Sequence, residues 1–343
     1  MRNSKIGVLL INLGTPDNAD VGSVRRYLYS FLNDKHVLDI PWLLRKALLW
    51  FWILPFRAKQ SAKAYQSIWD KTTGSPLLHN SMALTQSLQS YLGENYKVAL
   101  GMRYGKPSIA QGFSTLIEAN CDKIVALPLF AQYSDAASGS AIEALHQHYA
   151  KQQEKLPLVV VEKFFDNDHY LSAYGEFLKK HLDVNESTHI LFSYHSLPVR
   201  QIMKSKQSCE SACFENAPCP AIKNDNAKCY RAQCFETSRQ LARICGLQPS
   251  QYSVVFQSRL GRTVWIGPDL IATLASLKEK NVKDIVVISP SFVADCLETL
   301  EELNIRAKEQ WQALGGNGFS LIPCLNAHPL WVKAVAKIIN QAL

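Results

Sequence analysis

Eight short apolar runs punctuate the chain, and the stretches between them repeat their apolar residues at helical spacing. The runs are IGVLLIN (6–12), YKVALGM (96–102), DKIVALPL (122–129) and LPLVVV (156–161) in the first half. THILFSY (188–194), YSVVFQ (252–257), KDIVVIS (283–289) and FSLIP (319–323) follow in the second. Runs this short and this rich in Val, Ile, Leu and aromatics read as strands. SIAQGFSTLIEAN (108–120), HYLSAYGEFLKKHL (169–182) and DLIATLASLKEK (269–280) carry helical periodicity.

Continuously apolar strands alternating with helices imply parallel sheets covered on both faces. The fold class expected is therefore α/β: two Rossmann-like domains, each a parallel four-stranded sheet flanked by helices, with the active site in the interdomain cleft. The domain bounds expected are 1–163 and 164–324, with a closing helix in 325–343 that can pack on either half, the first domain included. IPWLLRKALLWFWILPFRAKQ (40–60) departs from the pattern. Its apolar run is shorter than the roughly 20 residues needed to span a bilayer. A buried helix is one reading; its Trp and Phe density beside Arg45 and Lys46 favours the other, an apolar lip at a membrane surface.

Composition narrows the partners. The 343 residues are 47% hydrophobic and 19% charged, with a formal charge of +8. A positive balance favours anionic ligands or an anionic lipid surface, while the scatter of Lys and Arg argues against nucleic acid. The N-terminal run ends in Asn-Leu-Gly-Thr-Pro, which reads as strand and turn and not as a signal peptide. The expected location is therefore the cytoplasm, including the inner face of its membrane, where thiols stay reduced. Five of nine cysteines crowd into SCESACFENAPCPAIKNDNAKCYRAQC (208–234), which raises the question of a metal site.

Candidate chemistry lies after the strands. LFSYHSLP puts His195 at a strand's carboxyl end, with a side chain suited to proton transfer near neutrality. In SPSFVADCLETLEELNI, Asp295, Glu298 and Glu302 share one helical face and Glu301 lies off it. This face is either a solvated acidic patch or a polar wall passing cations and protons. MRYGKPS offers Arg103 and Tyr104, LPLFAQYSDAASGS offers Tyr133, and LINLGTPD offers Leu13 and Gly14. No Gly-x-Gly-x-x-Gly or Walker pattern appears in these turns.

Taken together, LLINLGTPD, YLYSFLND, AYQSIWDKTTGSPL, MRYGKPSI, LPLFAQYS, FSYHSLP, FQSRLG with WIGP, and SPSFVADCLETLEEL resemble the ferrochelatases, in that family's order, from about residue 6 to 335. The resemblance implies insertion of Fe²⁺ into protoporphyrin IX in the last step of haem synthesis. It implies His195 and Glu298 as the catalytic and metal-contacting pair, with Asp295 and Glu302 in an acidic path. Leu13, Tyr65, Ser75, Arg103 and Trp265 then line the porphyrin, Arg103 facing a propionate, and the apolar Leu13 points to protoporphyrin; Tyr104 and Tyr133, as aromatics after strands, are expected to line the same flat ligand. The 40–60 segment matches the family's hydrophobic lip, implying peripheral membrane contact by a monomer or homodimer. The cysteine segment (about 205–234) resembles an insertion in a bacterial subgroup that carries a [2Fe–2S] cluster. Cys209, Cys213, Cys219 and Cys229 are the expected ligands, Cys234 the alternate, and structural zinc or free thiols the competing readings. Rival functions are a coproporphyrin or cobalt chelatase, and an inactive haem- or iron–sulfur-binding sensor on the same scaffold.

Overall fold

The computed structural model describes residues 4–153, 155–182, 188–204, 218–259, 261 and 263–343. Its strands are β1 (Ile6–Gly14), β2 (Tyr96–Tyr104), β3 (Lys123–Pro128), β4 (Leu158–Val160), β5 (Thr188–His195), β6 (Tyr252–Gln257), β7 (Asp284–Ile288) and β8 (Gly318–Leu321). Each of the eight apolar runs overlaps one of them. The sheet orders are β2-β1-β3-β4 and β6-β5-β7-β8, and all the strand pairs are parallel. In both sheets the first strand of the set lies inside, flanked by the two strands that follow it in sequence.

Burial explains why the strand runs are unbroken. Val8, Leu9, Leu10 and Ile11 are all fully buried, so both faces of β1 are covered. Leu9 and Ile11 pack with Ile109, Phe113 and Leu116 of the helix Ile109–Glu118, whose Ser108–Gln111 capping box fixes its start. In the second sheet, Leu191, Val255, Ile285 and Val287 pack on Leu270, Leu274 and Trp311. β1 runs two residues beyond its apolar core because Gly14 still pairs with Tyr104. Gly14 has φ +108°, and a Cβ there would meet the Tyr104 carbonyl at 1.6 Å, which only glycine avoids.

Two compact units result: Met1–Phe130, Ser134–Lys163 and Asn326–Leu343 form one, and Ala131–Tyr133 with Phe164–Leu325 form the other. In the first unit the closing helix Pro329–Ala342 packs on the helix Pro76–Leu92 and on β3.

The aromatic segment folds as Trp42–Leu48, a wide π turn over Leu49–Ile53, and Leu54–Ile68, in unbroken succession. Leu49 and Leu54 are buried beside Leu32. The buried-helix reading holds for that stripe alone. Trp50 is 61% exposed, Phe51 74%, Trp52 70% and Phe56 71%, with Trp42, Leu43 and Leu44 exposed as well. Among the described residues, no helix is long and apolar enough to cross a membrane.

Candidate active site

His195 is the last residue of β5, so its ring emerges where the strand's ladder ends. Its Nδ1 lies 2.6 Å from the carbonyl of Ser196. A carbonyl only accepts, so Nδ1 carries the proton and Nε2 keeps a free lone pair in the neutral ring. The adjoining backbone is fixed from several sides. Ser196 N–H donates to the Gln257 carbonyl at 2.8 Å, Ser196 Oγ to the Ile266 carbonyl at 2.9 Å, and the Tyr230 hydroxyl to the His195 carbonyl at 2.9 Å.

The acidic residues follow β7. Glu298 opens a π-helix, Glu298–Ala307, whose wide turns are rare and concentrate at functional sites. Gln257 Nε2 donates to the Glu298 carbonyl at 2.8 Å and holds the first wide turn against the end of β6. Glu302 accepts from Ser258 Oγ and pairs with Arg306 Nη2 at 3.2 Å. Ser258 occupies the left-handed region at φ 67°, a strain consistent with its being held against that carboxylate. Burial raises the Glu302 pKa above the ordinary carboxylate value, and the Glu298 charge raises it further, against the opposing pull of Ser258, His195 and Arg306. His195 and Glu298 thus each lie within electrostatic reach of Glu302, in the second unit. Glu301 turns aside to pair with Arg306 at 2.8 Å. Asp295 is buried, accepting from the Cys324 N–H at 3.1 Å and from Thr299 Oγ1 at 3.3 Å. Burial, then the Glu298 charge, pushes the Cys296 thiol well up, so it stays protonated beside that carboxylate.

The first unit assembles a second group. Arg103 and Tyr104 end β2, and both reach the buried carboxylate of Asp34: Arg103 Nη2 at 2.5 Å and the Tyr104 hydroxyl at 2.7 Å. Ser140 Oγ donates to the same oxygen at 2.6 Å. Burial alone would raise Asp34, but Ser140, the His36 N–H, Tyr104 and Arg103 outweigh it and hold the carboxyl below its ordinary value. Tyr65 is buried, edge-on to Tyr27 with ring centroids 6.2 Å apart. Ser75 precedes the helix Pro76–Leu92 and donates to Thr15 Oγ1 at 2.8 Å. Leu13 is half-buried near the end of β1. Tyr133 and Trp265 belong to the second unit: the Tyr133 N–H donates to Gln233 Oε1 at 2.8 Å, and Trp265 bridges to Pro198.

Of the cysteines singled out, Cys209 and Cys213 lie outside the described residues. Cys219, Cys229 and Cys234 are all buried. Burial drives the Cys234 thiol well up, and Cys219 and Cys229 add to the shift, placing the three in one neighbourhood. Arg231, fully buried, donates Nη1 to Cys219 Sγ at 2.9 Å and Nε to the Gly267 carbonyl at 2.9 Å. Among the described residues, no group of three or more His, Cys, Asp or Glu side chains converges to hold a metal ion.

Sequence reasoning passed over Asp34, Tyr230, Gln257 and Ser258. The last two stand at the carboxyl end of β6, where the rule that located His195 would have found them.

Two parallel sheets with an imidazole and carboxylates beyond the strand ends define a chelatase-type α/β protein. Among solved structures, the sirohydrochlorin chelatase SirB from Bacillus subtilis subspecies spizizenii, in complex with cobalt, shares the fold: TM-score 0.52, 10% identity, 98% of this chain and 95% of that one. SirB from Bacillus subtilis with Fe³⁺ gives TM-score 0.51 at the same identity and coverage. The family is narrower. Residues 5–343 match the family model for ferrochelatase. The ferrochelatase of Legionella pneumophila (strain Corby) is 48% identical over 337 residues, 98% of this chain and 99% of the relative. That of Coxiella burnetii (strain Dugway 5J108-111) is 48% identical over 342 residues, 99% of this chain and 95% of the relative. The chain belongs to the ferrochelatase family.

Proposed function

We propose that this enzyme is a working ferrochelatase, which inserts Fe²⁺ into protoporphyrin IX and releases two protons. The observation that carries the reading is that the His195 imidazole and the Glu298 carboxylate both act on the buried Glu302 beyond the strand ends. Fe²⁺ replaces two pyrrole N–H protons, so the site needs a base at the ring and a route for protons or cations. His195, with Nδ1 held as a donor, offers Nε2 to a pyrrole proton. Glu298 stands as its acidic partner and as a ligand of passing iron, which imidazole and carboxylate both suit. Glu302, its pKa raised, takes up a proton more readily than an ordinary carboxylate, and with Asp295 it stands behind Glu298 in the acidic path.

Porphyrin contacts are assigned to Leu13, Tyr65, Ser75, Arg103 and Tyr104 of the first unit, and to Tyr133 and Trp265 of the second. Arg103 meets a propionate while Asp34 and Ser140 fix its orientation. Leu13, being apolar, favours protoporphyrin over coproporphyrin. Metalation by Fe²⁺ of each porphyrin in parallel tests the reading. Faster turnover of protoporphyrin supports it, preference for coproporphyrin overturns the substrate choice, and no metalation of either overturns the activity.

The exposed aromatic face around Trp50–Trp52, with Lys46 lying over Trp42 at 5.2 Å, suits peripheral contact with an anionic membrane, the medium for an insoluble porphyrin. A [2Fe–2S] group would be held by Cys209, Cys213, Cys219 and Cys229, with Cys234 as alternate. The donor set described fits such a group in part: the thiols are buried, and the Arg231 guanidinium at Cys219 Sγ suits a thiolate there. When bound, the cluster supplies iron–thiolate bonds that tie this segment together. Equimolar iron and acid-labile sulfide in the purified protein support it, and absence of both refutes it.

A further inference from the structure

We infer that Tyr230 is a positioning residue for His195, setting the orientation of the imidazole through the backbone that carries it. The inference rests on the assignment of His195 as the proton acceptor. Tyr230 is the first residue of the helix Tyr230–Cys245, and its side chain is buried. Its hydroxyl crosses to the carbonyl of His195 at 2.9 Å, joining residues 35 apart in sequence.

The consequence lies in one peptide unit. The carbonyl of His195 and the N–H of Ser196 belong to the same plane. Tyr230 holds its oxygen end, and the Gln257 carbonyl holds its N–H end at 2.8 Å. The next carbonyl, that of Ser196, takes the ring's Nδ1–H at 2.6 Å. The direction of Nε2 therefore follows the plane that Tyr230 and Gln257 set between them. With the hydroxyl removed, the carbonyl loses its donor, the plane gains freedom to rotate, and the ring turns with it. Proton transfer from a pyrrole nitrogen requires hydrogen-bond geometry at Nε2, so turnover is sensitive to this rotation while porphyrin binding is not.

Tyr230→Phe deletes only the hydroxyl. Tyr170→Phe is the matched control: Tyr170 is also buried and donates to a backbone carbonyl, that of Pro290 at 2.5 Å, with no contact to His195 through that bond. Both variants and His195→Ala are assayed for Fe²⁺ insertion into protoporphyrin, with folding followed by thermal melting. The expected result is a fall in kcat of about 10- to 100-fold for Tyr230→Phe, with KM for porphyrin within about twofold and a moved His195 ring nitrogen resonance. Tyr170→Phe should keep kcat, whatever its melting temperature. Wild-type kcat in Tyr230→Phe, or an equal loss in Tyr170→Phe, overturns the inference. Normal turnover by His195→Ala overturns instead the assignment on which it rests.

Discussion

The side-chain amide of Gln257 donates to the backbone carbonyl of Glu298 at 2.8 Å, while its Oε1 accepts from Ser193 Oγ at 2.6 Å. One buried side chain at the end of β6 thus fixes the start of the π-helix and ties it to β5. Gln257→Leu strips both bonds and leaves buried partners unpaired. The expected cost is about 1–3 kcal/mol of stability, read by chemical denaturation. Turnover should fall further than the stability loss explains, because Glu298 loses its anchor. Unchanged kcat in folded protein would show that the wide turn holds itself.

Asp34 organises the first unit's charged group, accepting from Arg103, Tyr104 and Ser140. Asp34→Asn should cost about 3 kcal/mol, since it leaves the Arg103 charge without its counter-ion. The sign with pH follows from a carboxyl held below its ordinary 3.8. Its stabilisation is fully present above that value and is lost as pH falls through the lower native pKa. The difference in melting temperature between wild type and variant should therefore be widest above pH 3.8 and close on acidification. A gap that persists unchanged at lower pH contradicts this.

His189 on β5 is buried, with Nε2 2.9 Å from Ser253 Oγ, and burial, aided by the Lys280 charge, lowers its pKa from 6.5 to about 4. Above pH 6.5 the ring is neutral in both folded and unfolded chains. Between 6.5 and about 4 only the unfolded chain takes the proton, so stability declines across that window. The decline attributable to this residue is about 3 kcal/mol. His189→Gln should flatten the acid limb of the stability curve there, and an unaltered limb would exclude His189 as its cause.

The exposed aromatic face makes a separable prediction. Trp50, Phe51, Trp52 and Phe56 are each more than half exposed, so changing all four to Ser should leave stability within about 0.5 kcal/mol per site. Cosedimentation with anionic vesicles should drop sharply in that variant. Equal sedimentation by variant and wild type, or none by wild type, removes the membrane role from this face.

The strands were legible because full burial writes itself as an unbroken apolar run, as in Val8 to Ile11. The candidate base was legible for a topological reason: His195 ends a strand of a parallel sheet. What escaped was everything set by long-range pairing. Asp34 meets Arg103 across 69 positions and Ser258 meets Glu302 across 44, and no local period encodes either contact. The π-helix escaped too, because its wide turns leave the apolar spacing of Leu297, Leu300 and Leu303 readable as an ordinary helix. The aromatic segment was ambiguous in sequence since a buried and a membrane-facing helix share a composition. Its buried stripe narrows to residues such as Leu49 and Leu54 while the aromatics point outward.

His195 is the group proposed to remove protons from the porphyrin. Its most direct test is Fe²⁺ insertion by His195→Ala, with protoporphyrin binding measured on the same protein by fluorescence quenching. The expected result is bound porphyrin and no haem. Haem formation at the wild-type rate would contradict it.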